Sequence, residues 1–177
     1  MKTALVVGTM LMTFAIAARA QQPSASAAPA ADQTFVMHAA QANVAEVELG
    51  KLALQKTQRD DVKKFGQQMV DDHTKAGDEL RAIAMRKKVA VSTDLDAEHK
   101  ALHDRLSKLS GAAFDQAYMQ AMADGHKKVA AEVRQESHSG KDAEVKAWAT
   151  KTLPTIEAHL KHAQTVSRSV HPAGSTH

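Results

Sequence analysis

The chain of 177 residues contains no cysteine. This absence excludes disulfides, thiolate metal sites, iron–sulfur clusters and a cysteine nucleophile. Aromatic residues make up only 3% of the chain, too few for the stacking platforms that bind single-stranded nucleic acid. The sequence also lacks a nucleophile elbow, a phosphate-binding loop and a dinucleotide fingerprint. It therefore favours a protein that is not an enzyme, and whose chemistry rests on carboxylates and imidazoles.

The sequence has no dense run of basic residues. The formal net charge is +3, but Lys2 and Arg19 lie in an N-terminal leader without acidic residues, which leaves the rest of the chain nearly neutral. A basic patch is the electrostatic footprint expected of a nucleic-acid-binding protein. We therefore expect no nucleic-acid partner.

Residues 1–20 have the features of a secretory signal peptide. Lys2 supplies the positive charge, residues 4–18 form the apolar segment, and Ala18-Arg19-Ala20 is a small-residue cleavage site. The apolar segment is short for a transmembrane helix, and no later segment approaches the required length. We expect cleavage after Ala20, export to the periplasm, and no transmembrane segment in the mature chain.

Proline is present just after the predicted signal peptide and absent from the long span that follows. Residues 21–31 are rich in Pro, Ser and Ala and predict a flexible linker. Residues 30–153 contain no proline and are rich in strong helix formers. No segment alternates polar and apolar residues long enough to indicate a strand. The composition therefore predicts an all-α protein.

Apolar residues at three- and four-residue spacing predict four long helices and one short one. The long helices are predicted over residues 32–55, 60–88, 112–137 and 141–170, and the short connecting helix over 94–109. Asp32 is the predicted N-cap of the first, and Ser92-Thr93-Asp94 that of the connecting helix. Pro154 predicts a kink or a restart in the last. The four stripes are expected to close one four-helix bundle over 32–170, with a disordered tail at 171–177.

The sequence resembles a known exported bacterial family, labelled domain-of-unknown-function 4142. The resemblance covers about residues 32–166. It implies a ferritin-like helical bundle behind a signal peptide, and it implies no activity. The residues that carry it are Ala45-Glu46-Val47-Glu48-Leu49-Gly50-Lys51-Leu52-Ala53, FGQQMVDDH at 65–73, GAAFDQAY at 111–118, Asp124-Gly125-His126 and LPTIEAHLKHA at 153–163.

Each of the four stripes is interrupted near its middle by a titratable residue. A carboxylate or imidazole inside a core is costly unless it is paired or coordinated, and bundles build metal sites from such side chains on facing helices. Imidazole with carboxylate suits Zn, Cu, Fe or Ni. The predicted metal ligands are Glu46, His73, His126 and His159, and nearby acids that would orient the histidines are Asp71, Asp72, Asp124 and Glu157.

Two observations favour a structural alternative, a hydrogen-bonded polar layer without metal. The Glu-x-x-His signature of di-iron bundles is missing, because Glu157 precedes His159 by only two positions. The predicted helix ends also place Glu46 and His73 at heights that differ by ~6 Å, and His126 and His159 by roughly 9 Å. A duplicated hairpin would pair Glu46 with His126 and His73 with His159, giving two polar layers or one loose site.

Three functions remain open at the level of sequence. The first is an exported bundle that binds a metal or a partner without catalysis, with a role in the envelope or in stress by analogy with ferritin-like proteins. The second is a metal-dependent oxidoreductase that oxidises ferrous iron or consumes peroxide. The third is a structural or adaptor bundle, acting on a protein partner or as a homo-oligomer. His99 and His103, four residues apart on the connecting helix, indicate at most an adventitious surface site.

Overall fold

The structure, a computed structural model, describes residues 27–171, so the predicted signal peptide and most of the predicted linker and tail lie outside the described residues. Within that range every regular element is an α-helix and there is no strand. The prediction of four long helices and one short connecting helix is confirmed. The helices are α1 Ala30–Lys56, α2 Asp60–Lys87, α3 Ala97–Ser107, α4 Gly111–Ser139 and α5 Ala143–Val170.

The start of α1 differs from its prediction because Asp32 has another partner. The helix begins at Ala30 and Pro29 is its N-cap residue, so Asp32 lies inside the first turn. Its carboxylate accepts hydrogen bonds from the backbone N–H groups of Lys141, at 2.9 Å, and of Asp142. Asp32 therefore ties the start of α1 to the loop between α4 and α5 instead of capping its own helix.

The predicted N-cap of the connecting helix is also wrong. The hydroxyl of Ser92 accepts from the backbone N–H of Asp94, which makes a local turn. Asp96 is the N-cap, and its carboxylate accepts from the backbone N–H of His99 at 2.8 Å. The helix therefore begins at Ala97, because the cap forms where a carboxylate reaches a free first-turn N–H.

The last helix runs through Pro154 without a restart. Proline cannot donate a hydrogen bond to the carbonyl four residues earlier, which here belongs to Thr150. Both Pro154 and Thr150 are exposed, so water can satisfy that carbonyl. The predicted restart is absent because the interruption lies on the solvent face.

The ends of the bundle are defined by contacts between distant residues. At one end, Lys87 at the close of α2 lies 2.8 Å from Asp142 before α5. At the other, the amide of Gln116 near the start of α4 donates to the carbonyl of Val170, and Lys56 donates to the carbonyl of Ser107. The chain therefore makes two antiparallel hairpins, α1–α2 and α4–α5, joined by a crossover in which α3 packs on α1 and α4.

A polar layer separates two apolar cores along the bundle. One core is centred on Phe65, Phe114 and Tyr118 near the α1–α2 turn, and the other on Phe35, Leu80 and Trp148 near the α4–α5 turn. The side chains between them are buried histidines. The fold thus encloses imidazoles between two apolar regions at mid-height of the bundle.

The α1–α2 hairpin is held close by a pair of glycines. A Cβ on Gly50 would lie 2.7 Å from the carbonyl oxygen of Gly66, so the two backbones approach too closely for any side chain at Gly50.

None of the helices within residues 27–171 carries an apolar stretch long enough to traverse a bilayer.

Candidate metal centre

Three of the four predicted ligands meet in the centre of the bundle. His73 comes from α2, His126 from α4 and His159 from α5, and each is at most 4% exposed. Their ring centroids are 5.3–5.6 Å apart. One ligand nitrogen from each ring lies within 4.8 Å of those of the other two. The bundle thus brings three imidazoles from three helices into one cluster.

Each ring uses one nitrogen to hydrogen-bond to its surroundings. His73 Nδ1 lies 3.0 Å from the side-chain oxygen of Asn43, and His126 Nδ1 lies 2.9 Å from the carbonyl oxygen of Met122. His159 Nε2 lies 2.8 Å from Asp72 Oδ2. Carbonyl and carboxylate oxygens only accept, so each of these ring nitrogens must carry the proton and donate.

The other nitrogen of each ring has no partner. His73 Nε2, His126 Nε2 and His159 Nδ1 are all buried and have no hydrogen-bond partner among residues 27–171. Since the opposite nitrogen carries the proton in each neutral ring, these three atoms present lone pairs. Buried acceptors without donors are costly. Three such lone pairs on three neighbouring rings are an arrangement that a metal cation satisfies.

Glu46, the fourth predicted ligand, lies beside this cluster and outside it. Its Oε1 is 3.5 Å from His126 Nδ1, the ring nitrogen that also donates to the Met122 carbonyl. Glu46 Oε2 is buried without a partner among the described residues. Burial raises the pKa of the Glu46 carboxyl, and the nearby His126 and His99 lower it. Glu46 thus lies behind His126 at ion-pair distance, while the ring N–H itself is directed to the Met122 carbonyl.

Burial favours the neutral, metal-ready form of His73 and His159. It lowers the pKa of His73 well below its usual value near 6.5, and the neighbouring rings of His126 and His159 lower it further. Burial also lowers the pKa of His159, although the hydrogen bond to Asp72 opposes the shift. A ligating imidazole must be neutral, so the core holds these two rings in the required protonation state.

The histidines form one layer, and the alternative of two layers is wrong. The observed helix ends explain the difference: α4 runs to Ser139 and α5 starts at Ala143, which is later in each case than predicted. His126 and His159 then differ in height by about one turn, roughly 4.5 Å, as do Glu46 and His73. This difference in height is small enough for the side chains to meet, because their imidazole and carboxylate groups lie well beyond Cβ.

Of the four acids predicted to orient the histidines, only Asp72 does so. Asp71 accepts from Gln67, Asp124 from Gln120, and Glu157 pairs with Arg134, all on exposed surface. Two further acceptors, the Asn43 side chain and the Met122 carbonyl, were not predicted from the sequence. Asn43 could have been found, because it lies one turn before Glu46 on the same helical face; a backbone carbonyl leaves no signal in the sequence.

Comparisons with known proteins give a family and a similar fold. A family model described as "Domain of unknown function (DUF4142)" matches residues 17–166. The crystal structure of a DUF305 fragment from Deinococcus radiodurans is similar, with a TM-score of 0.71 at 16% sequence identity, and the match covers 81% of this chain and 99% of that chain. At this identity the likeness shows the fold alone. Among curated proteins, none matches this chain.

Proposed function

The chain belongs to the family described as a domain of unknown function, DUF4142, and from that premise, which carries no activity, we propose that its bundle binds one divalent first-row transition metal ion. The ligands are His73, His126 and His159. The observation that carries the proposal is the set of three buried ring nitrogens that have lone pairs and no donor.

The surroundings of the rings support this assignment. Metal-ligating histidines usually donate their second N–H to a carboxylate or a carbonyl, which fixes the tautomer and aims the other nitrogen at the metal. Here Asp72, Asn43 and the Met122 carbonyl accept those three N–H groups. A polar layer that served only to hold the helices in register would be expected to pair its buried nitrogens with donors.

The ligand type favours Zn, Cu, Fe or Ni. Imidazole nitrogens suit these ions, whereas Mg and Ca prefer oxygen ligands. Three protein nitrogens leave a fourth position of a tetrahedral ion for water or another small ligand. The carboxylate of Glu46 would offset part of the charge of the cation. Di-iron bundles use four carboxylates with two histidines, so we do not propose ferroxidase activity.

Equilibrium dialysis followed by elemental analysis tests the proposal on untagged full-length protein, because a histidine tag would bind metal. We expect one Zn²⁺ or Cu²⁺ per chain. Co²⁺ serves as a spectroscopic substitute, since its visible absorption reports nitrogen ligation in a low-coordinate site. Replacing His73 or His126 by Ala should abolish both the stoichiometric binding and the Co²⁺ bands.

The matched control replaces the surface pair His99 and His103 by Ala. These rings contact Asp96 and Asp104 and lie outside the cluster. This variant should keep both the stoichiometry and the Co²⁺ spectrum. Metal binding that survives loss of His73 and His126 but disappears with the surface pair would contradict the proposal, and the core histidines would then form a purely structural layer.

We further propose that the protein works after export to the periplasm as a binding protein, not an enzyme. The features of residues 1–20 support export, and the missing catalytic motifs support a binding role. Intact-mass analysis of protein recovered from the periplasm should give a mature chain that begins at Gln21. Exported protein that retains Met1 would contradict soluble export.

A further inference from the structure

A groove on the bundle surface lies next to the buried cluster. It lies between α1, α3 and α4 and has a volume of about 810 Å³. Glu46, Met122 and Gly125 are part of its wall. Glu46 also lines a small interior cavity together with His73 and His126. Ala42 and Val129 also line both, so Glu46 is the titratable side chain that the groove and the interior cavity have in common.

The charges along this groove favour a cation. Acidic residues outnumber basic ones on its walls: Asp96, Glu98, Asp124, Glu132 and Glu46 face Arg105 and Lys128. Among residues 27–171, no Lys or Arg lies within salt-bridge distance of Glu98, Asp124 or Glu132. A cleft lined by one sign of charge concentrates counter-ions and speeds their arrival.

Glu46 gives an observation that is independent of the surface acids. It is only 7% exposed, and its Oε2 has no partner among the described residues although it borders the groove. A buried carboxylate oxygen without a donor is costly. A passing cation would satisfy it, and the carboxylate would replace one of the waters that the cation loses before it reaches the histidines.

A second surface opening near the cluster is less suited to a cation. It has a volume of about 260 Å³ and includes His73 and Asn43. Its charged residues are Glu48, Lys51 and Arg81, and Glu48 is already paired with Lys51 at 2.7 Å. Arg81 is likewise paired with Asp78. Among the described residues that line this opening there is therefore no unpaired acid to attract a metal ion, whereas Glu98, Asp124 and Glu132 line the α1–α3–α4 groove.

We propose that the groove between α1, α3 and α4 is the route by which a hydrated divalent cation reaches the three histidines, with Glu46 as the last carboxylate before the site. This inference rests on the proposed function and adds how the metal arrives. Its test is therefore kinetic, whereas the test of binding is made at equilibrium.

The chain contains its own reporter for such an experiment. Trp148 is the single tryptophan, and it lines the interior cavity together with His73 and His126. Cu²⁺ bound at the cluster should quench its fluorescence. Stopped-flow mixing of full-length protein with Cu²⁺ gives the association rate constant, and mixing the loaded protein with excess chelator gives the dissociation rate constant.

The first variant removes three groove charges: Glu98→Gln, Asp124→Asn and Glu132→Gln together. We expect association to slow by about threefold to tenfold at low ionic strength, and by less at high salt, because steering is screened. The control removes three charges from α2 and α5, away from the groove: Asp71→Asn, Glu79→Gln and Glu157→Gln. An equal slowing in the control would overturn the proposal, since net charge alone would then explain the effect.

The second variant narrows the route without changing charge. A Cβ at Gly125 would meet only Glu46 Oε1, at 3.8 Å, so Gly125→Ala fits and Gly125→Leu projects toward the groove. The leucine should slow association and dissociation by the same factor and leave Kd unchanged, which is the signature of an obstructed path. Circular dichroism checks that both variants fold, and the alanine variant should keep wild-type rates.

The failures of the two proposals are distinguishable. Normal equilibrium binding with unchanged rates in both the charge variant and Gly125→Leu would overturn the route alone. Rates that respond instead to Arg81→Gln, at the second opening, would also overturn it. An absence of stoichiometric binding to the wild-type protein would overturn the metal site and the route together.

Discussion

At the scale of single residues, Asp71 and Asp72 show how position outweighs chemical identity. They are identical neighbours on α2. Asp71 is exposed and accepts from Gln67, whereas Asp72 Oδ2 accepts from His159 Nε2 at 2.8 Å. One residue along a helix is a rotation of 100°, so only one of the two faces α5. The sequence predicted both as partners of the histidines because it cannot resolve this difference.

The difference between Asp71 and Asp72 predicts how the residues that accept hydrogen bonds from the histidines affect metal binding. Asp72→Ala should weaken metal affinity by about 10- to 100-fold, because His159 loses the acceptor that fixes its tautomer and ring orientation. Asn43→Ala should do the same through His73. Isothermal titration with Zn²⁺ measures both effects. Asp71→Ala is the matched control and should bind as the wild type does; an equal loss in Asp71→Ala would contradict the assignment.

The depressed pKa values of His73 and His159 predict how the metal-free protein responds to acid. Below about pH 6.5 the unfolded chain binds protons on these rings and the folded chain does not, so the free energy of unfolding falls as the pH drops. The slope is at most about 1.4 kcal/mol per pH unit for each ring. Urea unfolding between pH 7.5 and 5.5 measures it.

Glu46 and Asp72 also affect how the free energy of unfolding depends on pH. The raised pKa of Glu46 acts in the opposite direction, because its carboxyl is favoured in the folded state when it is protonated. The hydrogen bond to Asp72 opposes the shift at His159, so His73 should contribute most. His73→Gln should therefore flatten the pH dependence, and a slope equal to that of the wild type would show that His73 does not exclude the proton.

The residue types of the site were predictable from the sequence, and their detailed geometry was not. A titratable residue in the middle of each apolar stripe indicates a polar group in the core, which holds for Glu46, His73, His126 and His159. Ring orientation depends on contacts between helices, such as that of Asn43 with His73. That contact joins α1 to α2, and the periodicity of a single helix carries no information about it.

At the scale of the helices, the cores were predicted well and the ends less well. Apolar residues at three- and four-residue spacing indicate which face is buried. Phe65 and Leu80 on α2, and Trp148 and Ile156 on α5, have this spacing and are buried. The end of a helix depends on which of several neighbouring residues caps it. Ser92 and Asp96 both have the chemistry of an N-cap, and only the structure shows that Ser92 is used in a local turn.

Two glycines inside helices should respond in opposite ways to the same substitution. Gly50→Ala places a Cβ 2.7 Å from the Gly66 carbonyl oxygen and 2.9 Å from Val70 Cγ2, so we expect a loss of about 1–3 kcal/mol in the free energy of unfolding. Gly125→Ala meets no such obstacle and should gain about 0.5–1 kcal/mol from helix propensity. Urea unfolding measures both. Equal effects would contradict the close approach of α1 and α2.

At the scale of the whole molecule, metal binding should stabilise the bundle as a unit, because the ligands come from both hairpins. The gain in unfolding free energy is about 2.7 kcal/mol when free Zn²⁺ is a hundredfold above the dissociation constant. Thermal unfolding with and without Zn²⁺ measures the gain. His126→Ala should lose it completely and His99→Ala should keep it. If the core variants lower stability equally with and without Zn²⁺, the histidine layer is structural only.

The histidines of α2, α4 and α5 lie together although they are far apart in the sequence, and this has a consequence for the unfolded chain. His73 and His126 are separated by about fifty residues, and a covalent link closing a loop of that length removes unfolded-state entropy worth about 4 kcal/mol. A chain without cysteine cannot form such a link with sulfur. An ion held by three imidazoles would fasten the same loop reversibly, so that chelation or acid, rather than a reductant, would release it.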